Sequence, residues 1–187
     1  MNETPLIIGV DPGFSALGLA EVTLLPEYEI VRRVAVVRTQ PSEKKRGVRV
    51  SDDNLRRITE LSAAISPWLS PGVIAICAES QSWPRNSSSS GKVGMSWGVV
   101  GSLAQQRGIP ILQATPMEIK RAMTGIGSAT KKQVQAALEA RYGAIDWPSQ
   151  RTLHEHASDA LAAIVACLDH TTIQMARRMM GGDRRDR

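Results

Sequence analysis

Apolar residues run along this 187-residue chain first in short continuous stretches and later at helical spacing, and the switch sets the order of elements. Residues 5–11, built on Leu6-Ile7-Ile8-Gly9-Val10, are predicted as a buried strand. Residues 17–25 and 29–38 follow as two more strands, the second enriched in the β-branched Val34, Val36 and Val37. The turns between them, at 12–16 and 26–28, are short enough to join antiparallel neighbours. Residues 39–50 are polar and basic and read as a loop. Leu55, Ile58, Leu61, Ala64, Ile65 and Trp68 then recur with a helical period, predicting a helix from about 52 to 68 with Ser51 or Asp52 as its cap. Val73 to Glu79 is a fourth strand. A Ser-rich loop, Ser87 to Ser90, precedes a helix over about 92–107, a short strand at Ile109–Leu112, a short helix at 115–124 and a loop from Gly125 to Ser128. Thr130 and Gln133 have capping-box spacing for a helix of about 131–142. The last helix is predicted from about 153 to 179, and the basic tail from Gly181 to Arg187 is expected to be disordered.

Three strands in a meander, then helix, strand, helix, strand and further helices, predict an α/β fold. A βαβ crossover would set the strand ending at Glu79 parallel to its neighbour. The expected architecture is a five-stranded mixed sheet with helices on both faces, in a single domain over residues 1–180, with no internal repeat. The length suits one domain with a proper core. A hydrophobic content of 42% with 22% charged residues describes an ordinary soluble protein. No run of eighteen apolar residues occurs, and no basic start leads into an apolar signal region, so neither a membrane span nor secretion is expected. Cys77 and Cys167 sit in apolar contexts as small core residues, without the number or spacing of a zinc or disulfide framework. A reducing cytoplasm fits.

Charge adds a partner. The formal charge is +5, with a sequence pI near 9.6. Lys44, Lys45, Arg46 and Arg49 crowd one loop, Lys120, Arg121, Lys131 and Lys132 flank the Gly-rich turn, and Arg177, Arg178, Arg184, Arg185 and Arg187 lie towards the C-terminus. Clustered cations among scattered acids suit a phosphate backbone.

The candidate chemistry lies in carboxylates at strand ends. Asp11 and Glu79 each terminate an apolar strand, and adjacent parallel strands would bring both out at one sheet edge, where open α/β sheets bind ligands. A third acid, Asp159, stands three residues after His156, on the same side of a helix. The small residues that follow would let that helix pack closely on the sheet and bring its polar start to the strand ends. An isolated buried carboxylate costs several kcal/mol or more, and several at one point repel one another, so a cation is expected. Oxygen-rich donors suit Mg²⁺ or Mn²⁺, and the imidazole is compatible with Mn²⁺. Two such ions about 3.5–4 Å apart can activate water and stabilise the leaving oxygen in phosphodiester hydrolysis. The structural alternatives are that Asp11 caps a Pro-Gly turn, that Glu79 faces solvent and that Asp159 complements a helix dipole.

Four segments, Ile8-Gly9-Val10-Asp11-Pro12-Gly13, Ala78-Glu79-Ser80, Thr124-Gly125-Ile126-Gly127-Ser128-Ala129-Thr130-Lys131-Lys132-Gln133-Val134 and His156-Ala157-Ser158-Asp159-Ala160-Leu161-Ala162, resemble the RuvC Holliday-junction resolvases. They occur in the family's order from residue 6 to about 168. The Asp-Pro-Gly element is shared with sugar-kinase and actin-like ATPases, whereas the Gly-Ile-Gly-Ser-Ala segment with its lysines is far more specific. The resemblance implies a ribonuclease-H-like fold, a homodimer and metal-dependent paired nicking of four-way DNA junctions. By position, Asp11, Glu79 and Asp159 match the family's acidic metal ligands. His156 falls at the fourth position, where many members carry Asp and some His, a departure that bears on metal preference. Glu155, four residues from Asp159, is a neighbour that could also reach the site. Lys120 and Lys131 match basic positions that the family uses for DNA phosphates, and Lys132 adjoins Lys131. Lys131 opens a helix, which independently favours an anion. In the loop after Glu79, where the family often places an aromatic wedge, Ser82 is followed by Trp83, Pro84 and Arg85. Trp83 could stack on a base or pack under its own loop.

Several readings follow. The first is a RuvC-like structure-selective endodeoxyribonuclease, with association through the helix near 92–107, whose Gly94, Gly98 and Gly101 permit close packing. The second is a relaxed relative cutting branched or flapped DNA, for which the basic insertion at 39–50 leaves room. An actin-like ATPase would need a second glycine-rich phosphate loop, which the sequence lacks, and a non-catalytic DNA-binding module would not need the intact acidic set.

Overall fold

The computed structural model describes residues 4–43, 47–80 and 87–182. Five strands, β1 (Leu6–Asp11), β2 (Ala16–Leu24), β3 (Glu29–Arg38), β4 (Val73–Glu79) and β5 (Ile111–Ala114), form one sheet in the order β3-β2-β1-β4-β5. β1 to β3 pair antiparallel as a meander, and β4 and β5 run parallel to β1. The mixed sheet expected from the sequence is present. Among the described residues six α-helices accompany it: α1 (Val50–Ile65), α2 (Ser87–Arg107), α3 (Pro116–Thr124), α4 (Lys131–Tyr142), α5 (His154–Cys167) and α6 (Thr171–Gly182).

The two-residue period of the strands sorts side chains into two cores. Ile8, Val10, Leu17, Leu19, Ile76 and Ala78 point to one face, where Leu61 and Ile65 of α1 and Val99, Val100 and Leu103 of α2 cover them. Ile7, Ala20, Val22, Leu24, Ala75 and Cys77 point to the other face, beneath the nearly all-buried α5, which carries Ala160 to Val165. Helices therefore lie on both faces. Asp11 shares the parity of Ile7 and Gly9, and Glu79 that of Ala75 and Cys77, so both carboxylates sit on the face that α5 covers.

Glycines let α5 come this close. A Cβ on Gly9 would lie 2.0 Å from the Ala160 carbonyl oxygen, and one on Gly18 would lie 2.0 Å from the His156 carbonyl oxygen. Gly18 is the cross-strand partner of Asp11. The backbone of α5 thus rests directly on β1 and β2, with its first turn against the end of β1.

Several boundaries differ from those predicted. α1 starts at Val50 and its N-cap is Arg49, without a side-chain cap bond, so neither Ser51 nor Asp52 caps it; a 3₁₀ turn, Ser66–Trp68, completes the predicted stretch. Ser87 to Ser90 belong to α2 rather than to a loop. β5 lies two residues later than predicted, because Ile109 packs into the core before the strand begins, while Pro110 hands its carbonyl to Ile76. The long C-terminal helix is two helices broken at 168–170, where Ile173 N–H and Gln174 N–H both bond back to the His170 carbonyl and restart the spiral. Gly181 and Gly182, expected in the tail, close α6. A 3₁₀ turn at Arg151–Leu153 leads into α5. The Thr130–Gln133 capping box is present, and a second one, Thr115 with Glu118, starts α3. Cys77 and Cys167 are buried free thiols. Among the described residues no helix is long and apolar enough to cross a membrane.

Candidate active site

Asp11, Glu79, His156 and Asp159 line one cleft of about 310 Å³, with Lys120, Lys131, Pro116, Ile119 and Val134 forming its other walls. The six polar side chains arrive from five elements, each for a local reason. Asp11 is the last residue of β1, and the backbone turns at once, Gly13 N–H bonding back to the Asp11 carbonyl at 2.8 Å. Glu79 ends the parallel neighbour β4. His156 and Asp159 sit one turn apart near the start of α5, held down by the glycine contacts on the sheet. Lys120 comes from α3 and Lys131 is the first residue of α4, fixed by its capping box.

The electrostatics are those of crowded anions. His156 Nδ1–H donates to Asp11 Oδ2 at 2.7 Å, and this bond raises the imidazole above its usual range despite partial burial. Lys131 Nζ lies 3.3 Å from Asp159 Oδ2 and forms a second ion pair with Glu155. Glu79 makes no side-chain hydrogen bond to any described residue. Burial, and then the charges of Asp159 and Asp11, push its carboxyl up, with Lys131 and Lys120 opposing them. Burial is also the main cause holding Asp159 above the ordinary aspartate range, against the pull of Lys131. An oxygen-rich donor set in which Glu79 and Asp159 are both held above their usual range suits a divalent cation. The four donors line one cleft without closing on a common point: among the described residues no three Asp, Glu, His or Cys side chains stand close enough to form a ready metal site.

The structure brings Asp11, Glu79, His156, Asp159, Lys120 and Lys131 together. Lys132 and Glu155 point elsewhere and line a second cleft beside the first, which Lys131 also borders. Trp83 and Arg85, together with Lys44, Lys45 and Arg46, lie outside the described residues. The glycines at 9 and 18 escaped the sequence reading. Their signal is glycine inside an apolar strand, which often marks close backbone approach, matched by the small-residue run Ala160 to Ala163.

Comparison with known proteins gives consistent results. Residues 7–167 match the family described as crossover junction endodeoxyribonuclease RuvC. A RuvC of Corynebacterium diphtheriae is 33% identical over 162 residues, covering 84% of this chain and 90% of that protein. A RuvC of Porphyromonas gingivalis is 33% identical over 173 residues, covering 92% and 86%. Among solved structures, Thermus thermophilus RuvC in complex with a Holliday junction substrate superposes with a TM-score of 0.72 at 26% identity, covering 94% of this chain and 97% of that one. The expected ribonuclease-H-like fold is borne out by this likeness.

Proposed function

We propose, from the premise that the chain belongs to the RuvC family of crossover junction endodeoxyribonucleases, that it resolves four-way DNA junctions as a homodimer, each protomer nicking one strand. The family is metal-dependent, and Asp11, Glu79, Asp159 and His156 are the residues that would hold the metal, two Mg²⁺ ions with Mn²⁺ as an alternative. When bound, the divalent cations supply the Lewis acidity that lowers the pKa of an attacking water and stabilises the departing oxygen. The observation that carries this reading is the meeting of three carboxylates and an imidazole from β1, β4 and α5 in one cleft rimmed by Lys120 and Lys131.

The chain's own residues divide the remaining work. His156 spends its Nδ1–H on Asp11 and so fixes that carboxylate's rotation, leaving Nε2 as its ligating nitrogen. Lys120 and Lys131, from α3 and α4, line the same cleft and would take the non-bridging oxygens of the scissile phosphate. Lys131 is well exposed, so its pairing with Asp159 and Glu155 is worth under about 1 kcal/mol. A phosphate can therefore take over the ammonium at small cost. The apolar wall of Ile119 and Val134 keeps water from one side of the bonds being exchanged. The products would be a 5′-phosphate and a 3′-hydroxyl.

The test compares nicking of a synthetic four-way junction, a flap and a linear duplex, each with Mg²⁺ or Mn²⁺. Symmetric paired nicks confined to the four-way junction are expected. Equal cutting of linear duplex would reject junction selectivity, and efficient cutting of flaps would favour a relaxed branched-DNA nuclease.

A further inference from the structure

A second cleft of about 410 Å³ opens between the first turns of α4 and the 3₁₀ turn that leads into α5, and Lys131 stands on the rim it shares with the acidic cleft. Its walls carry Lys132 and Arg151, both exposed and neither paired with any described residue. Two carboxylates also line it, one ion-paired and the other hydrogen-bonded to a neutral amide. Glu155 is held by Lys131, and Glu139 accepts a hydrogen bond from Gln135 Nε2 at 3.2 Å. His154 forms a fixed wall: its Nε2–H donates to the Pro148 carbonyl at 2.8 Å and its ring stacks on Trp147. The cleft is thus preformed, continuous with the acidic site, and supplied with two cations that nothing inside the described protein satisfies.

We propose that this cleft binds the deoxyribose-phosphate backbone of the strand being cut, beyond the scissile phosphate, with Lys132 and Arg151 each taking a phosphate. The inference rests on the nuclease reading above. Because Lys131 borders both clefts, a strand whose scissile phosphate reaches it can run on into this one. A cation pair that meets phosphates positions the strand and reads no sequence. Each lysine or arginine that meets a phosphate also releases a counterion, so each contributes about 0.9 to the salt slope of binding.

The test is a cycle between protein and DNA, run in chelator so that no strand is cut. Neutral methylphosphonates are placed one at a time along the scissile strand of a four-way junction, and affinity is measured for the parent, Lys132→Ala, Arg151→Ala and, on the edge strand β3, the exposed Arg32→Ala. Each cleft substitution is expected to weaken binding about tenfold and to lower the salt slope by about 0.9. At one methylphosphonate position beside the cut site, the penalties of DNA and protein changes should cease to add. Arg32→Ala should match the parent. Additive penalties at every position, or parental affinity and slope in both cleft variants, would overturn the inference. A parent that binds junction and linear duplex equally would overturn junction selectivity instead, and the same cycle run on the duplex would still decide the role of the cleft.

Discussion

The placement of α5 makes Gly18→Ala the sharpest structural prediction. A Cβ at this position would sit 2.0 Å from the His156 carbonyl oxygen and 3.2 Å from the Asp11 Cβ, and such atoms essentially never approach within 3.0 Å. The obstacle is backbone, not the end of a flexible side chain, so α5 must withdraw by about 1 Å or β2 must bend away. Two energies oppose each other. Replacing glycine stabilises by about 0.4–1 kcal/mol through the unfolded chain, while overpacking at a rigid contact costs about 1–3 kcal/mol. The clash wins, and a net loss of about 1–2 kcal/mol in urea unfolding is expected. The displaced turn carries His156, whose bond to Asp11 spans 2.7 Å, so a shift of that size breaks the alignment of the acidic cleft. A misplacement of about 1 Å can cost about a hundredfold in rate. Single-turnover nicking of a four-way junction should fall by about that factor, while junction affinity measured in chelator stays within a few-fold, because Lys120 and Lys131 come from other helices. Parental nicking together with parental stability would refute the argument that glycine contacts set the site.

Other consequences can be checked separately. Glu79→Gln should raise the melting temperature of chelator-treated protein near pH 7. The raised folded-state carboxyl gives a contribution that is full below the ordinary glutamate value and is lost as pH rises through the shifted one, so parent and variant should converge as pH falls towards 4. Glu29, buried at the start of β3, accepts from Arg141, Tyr142 and Arg177. Glu29→Gln should cost about 1.5–3 kcal/mol in stability, because the largely buried Arg177 loses its carboxylate while the half-exposed Arg141 keeps water, with nicking per folded molecule retained. Thr115→Ala and Thr130→Ala should each cost about 1 kcal/mol through their capping boxes, and only the second should also weaken junction binding, since it frees Lys131. Gly94, Gly98 and Gly101 of α2 have open space where a Cβ would go. Replacing all three by alanine should strengthen the isolated helix by about 0.5–1 kcal/mol per site and, if α2 is the face between protomers, should lower the dimer fraction in sedimentation.

Much of this protein was legible before its structure. The parity of Ile7, Gly9 and Asp11 on one strand and of Ala75, Cys77 and Glu79 on another follows from the two-residue period alone, and the βαβ rule makes those strands parallel neighbours. The three-residue spacing of His156 and Asp159 supplied the remaining candidates for the site. What escaped was set by tertiary contact. Ser87 to Ser90 look like a loop because serine favours caps and turns, yet the packed remainder of α2 carries the spiral through them. The break at 168–170 carries no proline or glycine, so hydrophobic period alone runs straight across it. The two glycines in β1 and β2 acquire meaning only when the backbone of α5 is laid upon them, and the cleft of Lys132 and Arg151 joins residues nearly twenty positions apart.

The most direct test of the central claim is single-turnover nicking of a four-way junction by Asp11→Asn beside the parent, with junction affinity measured in chelator for both. If Asp11, with Glu79, His156 and Asp159, forms the cutting site, the variant binds the junction as tightly as the parent or within about threefold, since phosphate contacts carry most of the affinity. Its nicking rate falls by at least about a hundredfold, the loss of several kcal/mol of transition-state stabilisation. Nicking at the parental rate by a folded Asp11→Asn protein would contradict the account.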